Sequence, residues 1–136
     1  MIVNNTNLRV RYGETDKMGY VYYGIFAEYY EVGRTELMRE FGLTYKEIEK
    51  NGIMLPVVSM NIKYLKPAFY DDFLTIKTIL EKVPSIKIEF KYEIYNQNNE
   101  LLNLGETTLV FVDEKTRKPR KAPEDFILDL KRKINN

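Results

Sequence analysis

The period of the apolar residues changes from helical to strand-like near residue 57, and that change limits the possible folds more than any other feature. From about Tyr23 to Phe41 the residues Phe26, Tyr30, Gly33, Leu37 and Phe41 recur at spacings of 4, 3, 4 and 4. That spacing places them on one face of a helix. Ile25, Tyr29 and Val32 widen the stripe, so the helix is expected to be deeply buried, with Gly42 as its C-terminal cap. From residue 57 the period becomes two. Val58, Met60, Ile62 and Tyr64 alternate with Ser59, Asn61 and Lys63, and Ile86, Ile88, Phe90, Tyr92 and Ile94 alternate with Lys87, Glu89, Lys91 and Glu93. Each run reads as a strand with one apolar face.

Strands are expected over 57–65, 73–82, 86–95 and from about 101 through Val112. Lys66-Pro67, Pro84-Ser85 and the polar stretch Asn96 to Glu100 separate them. Gly105 is expected to bend or bulge the last strand. Leu8, Val10 and Tyr12 against Arg9 and Arg11 predict a further short strand over 7–12. Thr44 reads as the N-cap of a short helix, with Glu47 completing a capping box and Asn51-Gly52 ending it. Phe126, Ile127, Leu130 and Ile134 give the tail from Pro123 a helical spacing. Consecutive strands joined by short turns form antiparallel sheets, and a sheet with one apolar face needs a cover. The long helix is that cover. The expectation is an α+β fold in which an antiparallel sheet of about five strands wraps a long central helix. At 136 residues the chain reads as one domain, 1–136, with no linker and no internal repeat.

Two absences restrict the chemistry. The chain has no Cys and no His. A thiol nucleophile, a disulfide framework, thiolate metal sites and a Ser triad with its imidazole are excluded. Asp, Glu, Lys, Tyr, Ser, Thr and backbone groups remain. A metal held by carboxylates alone stays open, but no EF-hand spacing is present and no metal or cofactor site is assigned. Lys and Arg number 21 against 20 Asp and Glu, which suggests neither nucleic acid nor a membrane surface as partner. No apolar run approaches the roughly 20 residues that span a bilayer. The first residues lack an apolar signal core, so a cytoplasmic location is expected.

Among the remaining groups Asp16 stands out. It lies in the polar stretch Gly13-Glu14-Thr15-Asp16-Lys17-Met18-Gly19, just before the long helix. The first turn of a helix presents unpaired N–H groups and the positive end of its dipole. Those donors polarise a carbonyl and hold the oxyanion formed on attack, a contribution of roughly 3–4 kcal/mol where one such donor has been removed. A neighbouring carboxylate attacks the carbonyl carbon or activates a water. A carboxylate is a weak base, better suited to an activated acyl group such as a thioester than to an amide. The plainer reading is that Asp16 is a helix cap or a solvated loop residue.

The segment Arg11-Tyr12-Gly13-Glu14-Thr15-Asp16-Lys17-Met18-Gly19-Tyr20-Val21-Tyr22-Tyr23 resembles the signature of the 4-hydroxybenzoyl-CoA thioesterase family, which has the hotdog fold. Tyr29-Tyr30-Glu31 with Arg34, Leu55-Pro56-Val57-Val58, the run from Tyr64 through Pro67-Ala68 and Tyr70-Asp71-Asp72 to Leu74, Asp113, and Lys118-Pro119-Arg120 resemble further blocks of that family in the same order. The resemblance covers nearly the whole chain and extends to the branch associated with the Tol-Pal system. It implies an acyl-CoA thioesterase, with Asp16 as nucleophile or general base and Gly19 as the turn glycine. It implies substrate-binding or oxyanion roles for Val21, Tyr23, Gly24, Leu55, Pro56 and Val57, the Tyr23 backbone N–H meeting the thioester oxygen. Many members of the Tol-Pal branch have His where this chain has Tyr23, so a mechanism using that His is unavailable here. The resemblance also implies a homodimer, or a tetramer of two such dimers, with Leu55 to Val58 of one subunit approaching Asp16 of the other.

Other features have competing readings. Lys115 to Lys121 holds five basic residues in seven; it reads as a patch for CoA phosphates or an acyl carrier protein, or as a solvated loop, while Val83 to Lys87 holds no basic cluster. Tyr70-Asp71-Asp72 reads as a turn rather than a paired-carboxylate site. Glu28, Glu31 and Glu36 read as solvated or paired with Arg34 and lysines, the alternative being that one faces the pocket of the next subunit. Tyr20, Tyr22, Tyr23, Tyr29 and Tyr30 crowd the helix start and either line an acyl pocket or pack the core. Ser59 without any His is a poor nucleophile. The rival functions are an acyl-carrier-protein thioesterase, a hydratase or dehydratase of acyl thioesters, and a non-catalytic acyl-thioester-binding scaffold. The absence of His disfavours the dehydratases, which resemble a different motif.

Overall fold

The inward faces of the alternating strands meet the apolar stripe of the long helix, and that junction is the core of the computed structural model, which describes residues 1–134. The strands are β1 (Ile2–Arg9), β2 (Ile53–Met54), β3 (Val57–Tyr64), β4 (Phe73–Leu80), β5 (Lys87–Tyr95), β6 (Leu101–Val110) and β7 (Val112–Asp113). The helices are α1 (Ile25–Glu40), α2 (Tyr45–Lys50) and α3 (Glu124–Ile134). Five strands form one antiparallel sheet in the order β1-β4-β5-β6-β3, and β2 and β7 form a small second ribbon. This is the expected α+β architecture. Leu74, Ile76, Leu80, Ile88, Phe90, Tyr92 and Ile94 are buried beneath α1, which contributes Phe26, Tyr29, Tyr30, Leu37 and Met38. Among the described residues no helix is long and apolar enough to cross a membrane.

Several local expectations are corrected. The first strand runs from Ile2 to Arg9 rather than over 7–12, and Tyr12 belongs to a 3₁₀ turn with its side chain exposed. Asn4, Asn5 and Asn7 obscure the strand pattern because Asn favours turns. Here Asn4 is buried and satisfied by hydrogen bonds, donating to Glu40 at the end of α1 and accepting from Thr6 Oγ1 at 2.6 Å. Gly105 does not bulge its strand. It pairs in register with Ile62 on one side and Tyr92 on the other, while the register shifts lie at Val57/Ser59 and Ile94/Tyr95. The glycine is required instead because the Tyr30 ring lies directly over it.

The buried face of α1 also differs from expectation. Val32 is exposed, whereas Arg34 is 5% exposed. No carboxylate pairs with Arg34 among the described residues; its Nε–H donates to the Tyr45 hydroxyl at 2.9 Å, and Glu36 pairs with Arg39 instead. Thr44 caps α2 as expected, accepting from the Glu47 amide at 3.1 Å. Tyr70-Asp71-Asp72 is a turn, with Asp72 Oδ2 accepting from the Phe69 amide at 2.9 Å.

The consequence for function lies at the edges of the sheet. β3 pairs with β6 alone, and Val57, Val58, Met60 and Tyr64 along it are exposed. A long exposed apolar edge strand is a template for pairing with another chain.

Candidate active site

Between β1 and α1 the chain makes one 3₁₀ turn, Tyr12–Glu14, and then a loop closed by bridges from Thr15 to Val21 and from Tyr20 to Phe69. Asp16 heads that loop. Its Oδ1 accepts from the Met18 amide at 2.9 Å and from the Tyr20 amide at 3.2 Å, and its backbone carbonyl accepts from Gly19 at 3.0 Å. Gly19 has φ +84°, where glycine is favoured because it lacks a Cβ. The side chain therefore organises its own turn and is not the helix cap: Gly24 holds the N-cap position of α1. Asp16 Oδ2 accepts from no donor among the described residues.

The helix start is prepared in a complementary way. The amides of Ile25, Phe26 and Ala27 turn back onto the carbonyls of Tyr22, Tyr23 and Gly24 at 2.9, 3.4 and 3.3 Å. Val21 donates to Ala68 at 2.8 Å and Tyr22 to the Glu14 carbonyl at 2.9 Å. The N–H groups of Tyr23 and Gly24 are left without a protein acceptor among the described residues. Unpaired donors at a helix N-terminus favour a developing negative charge.

These parts border a cleft of about 290 Å³, lined by Asp16, Met18, Tyr20, Val21, Tyr23, Phe26 and the segment Tyr64 to Pro67. Asp16, Val21 and Tyr23 thus come together as expected, with Gly19 in the turn and Gly24 at the helix start. Leu55, Pro56 and Val57 do not line this cleft. They sit at the opposite end of β3 from Tyr64, roughly 20 Å away at the rise of an extended strand. Of the crowded tyrosines, Tyr20 and Tyr23 face the cleft. Tyr22 packs against the Tyr23 ring at 4.8 Å, Tyr29 bonds to Glu14 and Tyr30 stacks on Tyr92 in the core.

Sequence reasoning missed two residues. Tyr64 lines the cleft, and its hydroxyl donates to the Tyr23 carbonyl at 3.0 Å. Glu14 is buried and holds the loop. It accepts from the Arg11 amide at 2.8 Å and the Tyr29 hydroxyl at 2.9 Å, and pairs with the Arg11 guanidinium at 3.2 Å. The signal was available in the lone acidic residue two positions before Asp16 and the tyrosine 15 positions further on. Burial alone would raise the Glu14 carboxyl, but the hydrogen bonds from Arg11 and Tyr29 together outweigh it and hold the pKa below the ordinary glutamate range. A lowered folded-state pKa stabilises the fold above the unfolded value, and that stability is lost as pH falls through the folded one. Glu14→Gln is therefore expected to lower the melting temperature near neutral pH, with the gap to wild type closing as the pH drops below about 4. Melting curves from pH 7 to 3 check this; a gap that stays constant over that range would show that the charge of Glu14 is irrelevant.

A second concavity lies at the end of the molecule near Leu55 to Val57. The Arg120 amide donates to the Phe111 carbonyl at 2.8 Å and the Ala122 amide to Ser85 at 2.8 Å, which brings the end of the basic run 115–121 against the turn between β4 and β5. Arg120, Lys121 and Lys131 line this groove with Val83, Pro84, Leu128 and one carboxylate, Glu124. The basic character missing from Val83 to Lys87 in sequence is thus supplied from elsewhere in the chain. Lys115 to Lys118 belong to an exposed turn held by Asp113, whose Oδ1 accepts from the Lys115 and Thr116 amides, each at 2.9 Å.

Residues 10–130 match the model of the thioesterase-like superfamily. YneP of Bacillus subtilis, a provisionally assigned acyl-CoA thioesterase, is 38% identical over 129 residues, 93% of this chain and 94% of its own length. The acyl-CoA thioester hydrolase YbgC of Escherichia coli is 32% identical over 124 residues, 91% of this chain and 92% of its own. Among solved structures, the DHNA-CoA thioesterase of Staphylococcus aureus superposes with a TM-score of 0.92 at 36% identity, covering 100% of this chain and 95% of that one.

Proposed function

The chain belongs to the thioesterase-like superfamily, and from that premise we propose that it hydrolyses acyl-CoA thioesters at Asp16. The observation that carries the reading is the pairing of an unclaimed carboxylate oxygen with two unclaimed backbone N–H groups around one largely apolar cleft. In a general-base route Asp16 takes a proton from water as the water oxygen attacks the carbonyl carbon. The negative charge moves to the carbonyl oxygen, held by the Tyr23 and Gly24 N–H groups. The oxyanion then collapses, the C–S bond breaks, and the thiolate leaves and is protonated. In a nucleophilic route Oδ2 attacks the carbonyl carbon directly, thiolate leaves, and water hydrolyses the resulting anhydride. The site fits both routes.

The working unit is a homodimer built on β3. Two copies pairing antiparallel along this free edge across a two-fold axis bring the N-terminal end of one β3 beside the C-terminal end of the other. Leu55 to Val57 of one subunit then reach the Asp16 cleft of its partner, as the family resemblance implies. The Arg120, Lys121 and Lys131 groove lies at that same end, so each cleft receives its phosphate-binding groove from the other subunit. Arg and Lys recognise phosphate through charge-assisted hydrogen bonds.

A thiol-release screen over short, long and aromatic acyl-CoAs tests the activity, and release from none of them sinks it. Alanine at Arg120 and Lys121 together is expected to raise KM for a good acyl-CoA about tenfold, as loss of one or two charge-assisted bonds predicts. KM for the matching acyl-pantetheine, which lacks the nucleotide phosphates, is expected to stay unchanged. An equal rise for both substrates would move the phosphates elsewhere.

A further inference from the structure

Tyr64 lies at the end of β3, 41 residues from the carbonyl it holds. Its hydroxyl donates to the Tyr23 carbonyl oxygen at 3.0 Å. That carbonyl lies between the two free donors: the Tyr23 N–H precedes it on the same residue, and the Gly24 N–H shares its peptide plane. Outside α1 no other donor among the described residues reaches it, and from α1 the Phe26 amide does so at a long 3.4 Å. The backbone here has left the bridged loop and not yet entered the helix, so no regular ladder fixes the Tyr23–Gly24 peptide. The Tyr64 ring is itself held edge-on to Phe26, with centroids 5.7 Å apart.

We infer that Tyr64 is a positioning residue for the oxyanion donors: its hydroxyl holds the Tyr23 carbonyl, which fixes the Tyr23–Gly24 peptide plane and with it the direction of the Gly24 N–H, and anchors the backbone of Tyr23, whose own N–H lies in the preceding peptide. Two effects act together. The clamp fixes the orientation of the peptide plane, and preorganised donors cost no reorganisation at the moment of reaction. A peptide whose carbonyl accepts a hydrogen bond is also polarised, which makes its N–H a stronger donor. Because Tyr64 ends the exposed strand β3, the same side chain couples the oxyanion donors to the edge on which the proposed dimer forms. This inference rests on the hydrolase reading of Asp16.

Tyr64→Phe tests it, since Phe keeps the ring against Phe26 and removes only the hydroxyl. The expected result is a fall in kcat of about tenfold with KM within a factor of two, less than the 10²–10³ lost when an oxyanion donor is deleted outright. Asp16→Asn is measured beside it. If Asp16→Asn abolishes turnover while Tyr64→Phe retains kcat within twofold of wild type, the clamp is wrong and the hydrolase reading stands. If KM rises and kcat does not change, Tyr64 is a substrate contact and the clamp is equally overturned. If Asp16→Asn retains full activity, both readings fall. Amide spectra give a readout independent of turnover: the Tyr23 and Gly24 N–H resonances are expected to shift or broaden in Tyr64→Phe, and unmoved resonances would overturn the clamp even in a preparation of low activity.

Discussion

Asp16→Asn is expected to cut thioester hydrolysis by at least about 100-fold, the lower end of what a positioned base contributes, and to leave the fold intact. The substitution separates the two roles the side chain has. Oδ1 accepts from the Met18 and Tyr20 amides, and an Asn carbonyl oxygen accepts from both equally well. The turn through Gly19 therefore persists, and a melting temperature within about 2 °C of wild type is expected because the site is partly solvated and no buried bond is lost. Oδ2 becomes an amide nitrogen, which neither accepts a proton from water nor attacks a carbonyl. With no His in the chain, no imidazole substitutes for it. The check is the single-turnover rate of thiol release at saturating substrate. A variant that hydrolyses as fast as wild type with the fold unchanged would remove Asp16 from the chemistry.

How much of this was legible in the sequence depends on whether a residue's role is local or distributed. The helix 25–40 and strands β4, β5 and β6 were legible because their apolar faces meet one continuous core, so period and burial agree; β3 was legible from its period alone, since Val58, Met60 and Tyr64, expected to face the core, are exposed. β1 was not, because its polar inward residue Asn4 is matched to Glu40 and Thr6, partners that only the folded chain brings together. Arg34 was misread for the same reason: it reads as a partner for the glutamates of its own helix, yet here it is buried and donates to the Tyr45 hydroxyl. In the candidate site, Asp16, Gly19 and Tyr23 could be proposed from a contiguous motif. Tyr64 and Glu14 were not, since their bonds span 41 and 15 residues. The basic groove shows both halves of the problem. Its cations were visible as a run, but which of them face the β4–β5 turn was decided by two backbone hydrogen bonds, from Arg120 and from Ala122.

Gly105 carries the second large prediction. Gly105→Ala is expected to destabilise the protein by about 3 kcal/mol, the upper part of the usual range for overpacking, and to lower the melting temperature by roughly 10 °C. A methyl group at this position would overlap Cε2, Cζ and Oη of Tyr30. The ring has no room to yield. It is stacked on Tyr92, with centroids 4.2 Å apart and planes 6° from parallel, and its hydroxyl donates to Asn103 at 2.6 Å. Tyr92 is the cross-strand neighbour of Gly105, so one tyrosine from α1 covers the glycine and packs against its partner at once. Backbone freedom is not the issue, because alanine adopts strand dihedrals readily; the conflict is purely one of space. That makes the prediction separable from a generic strand defect. In a Tyr30→Leu background, where the overlapping ring atoms are gone, Gly105→Ala is expected to cost less than half of its value in wild type, a coupling that denaturant unfolding of the four proteins measures directly. Additive losses across that cycle would show that the helix–sheet contact at Tyr30 is not what holds position 105 to glycine.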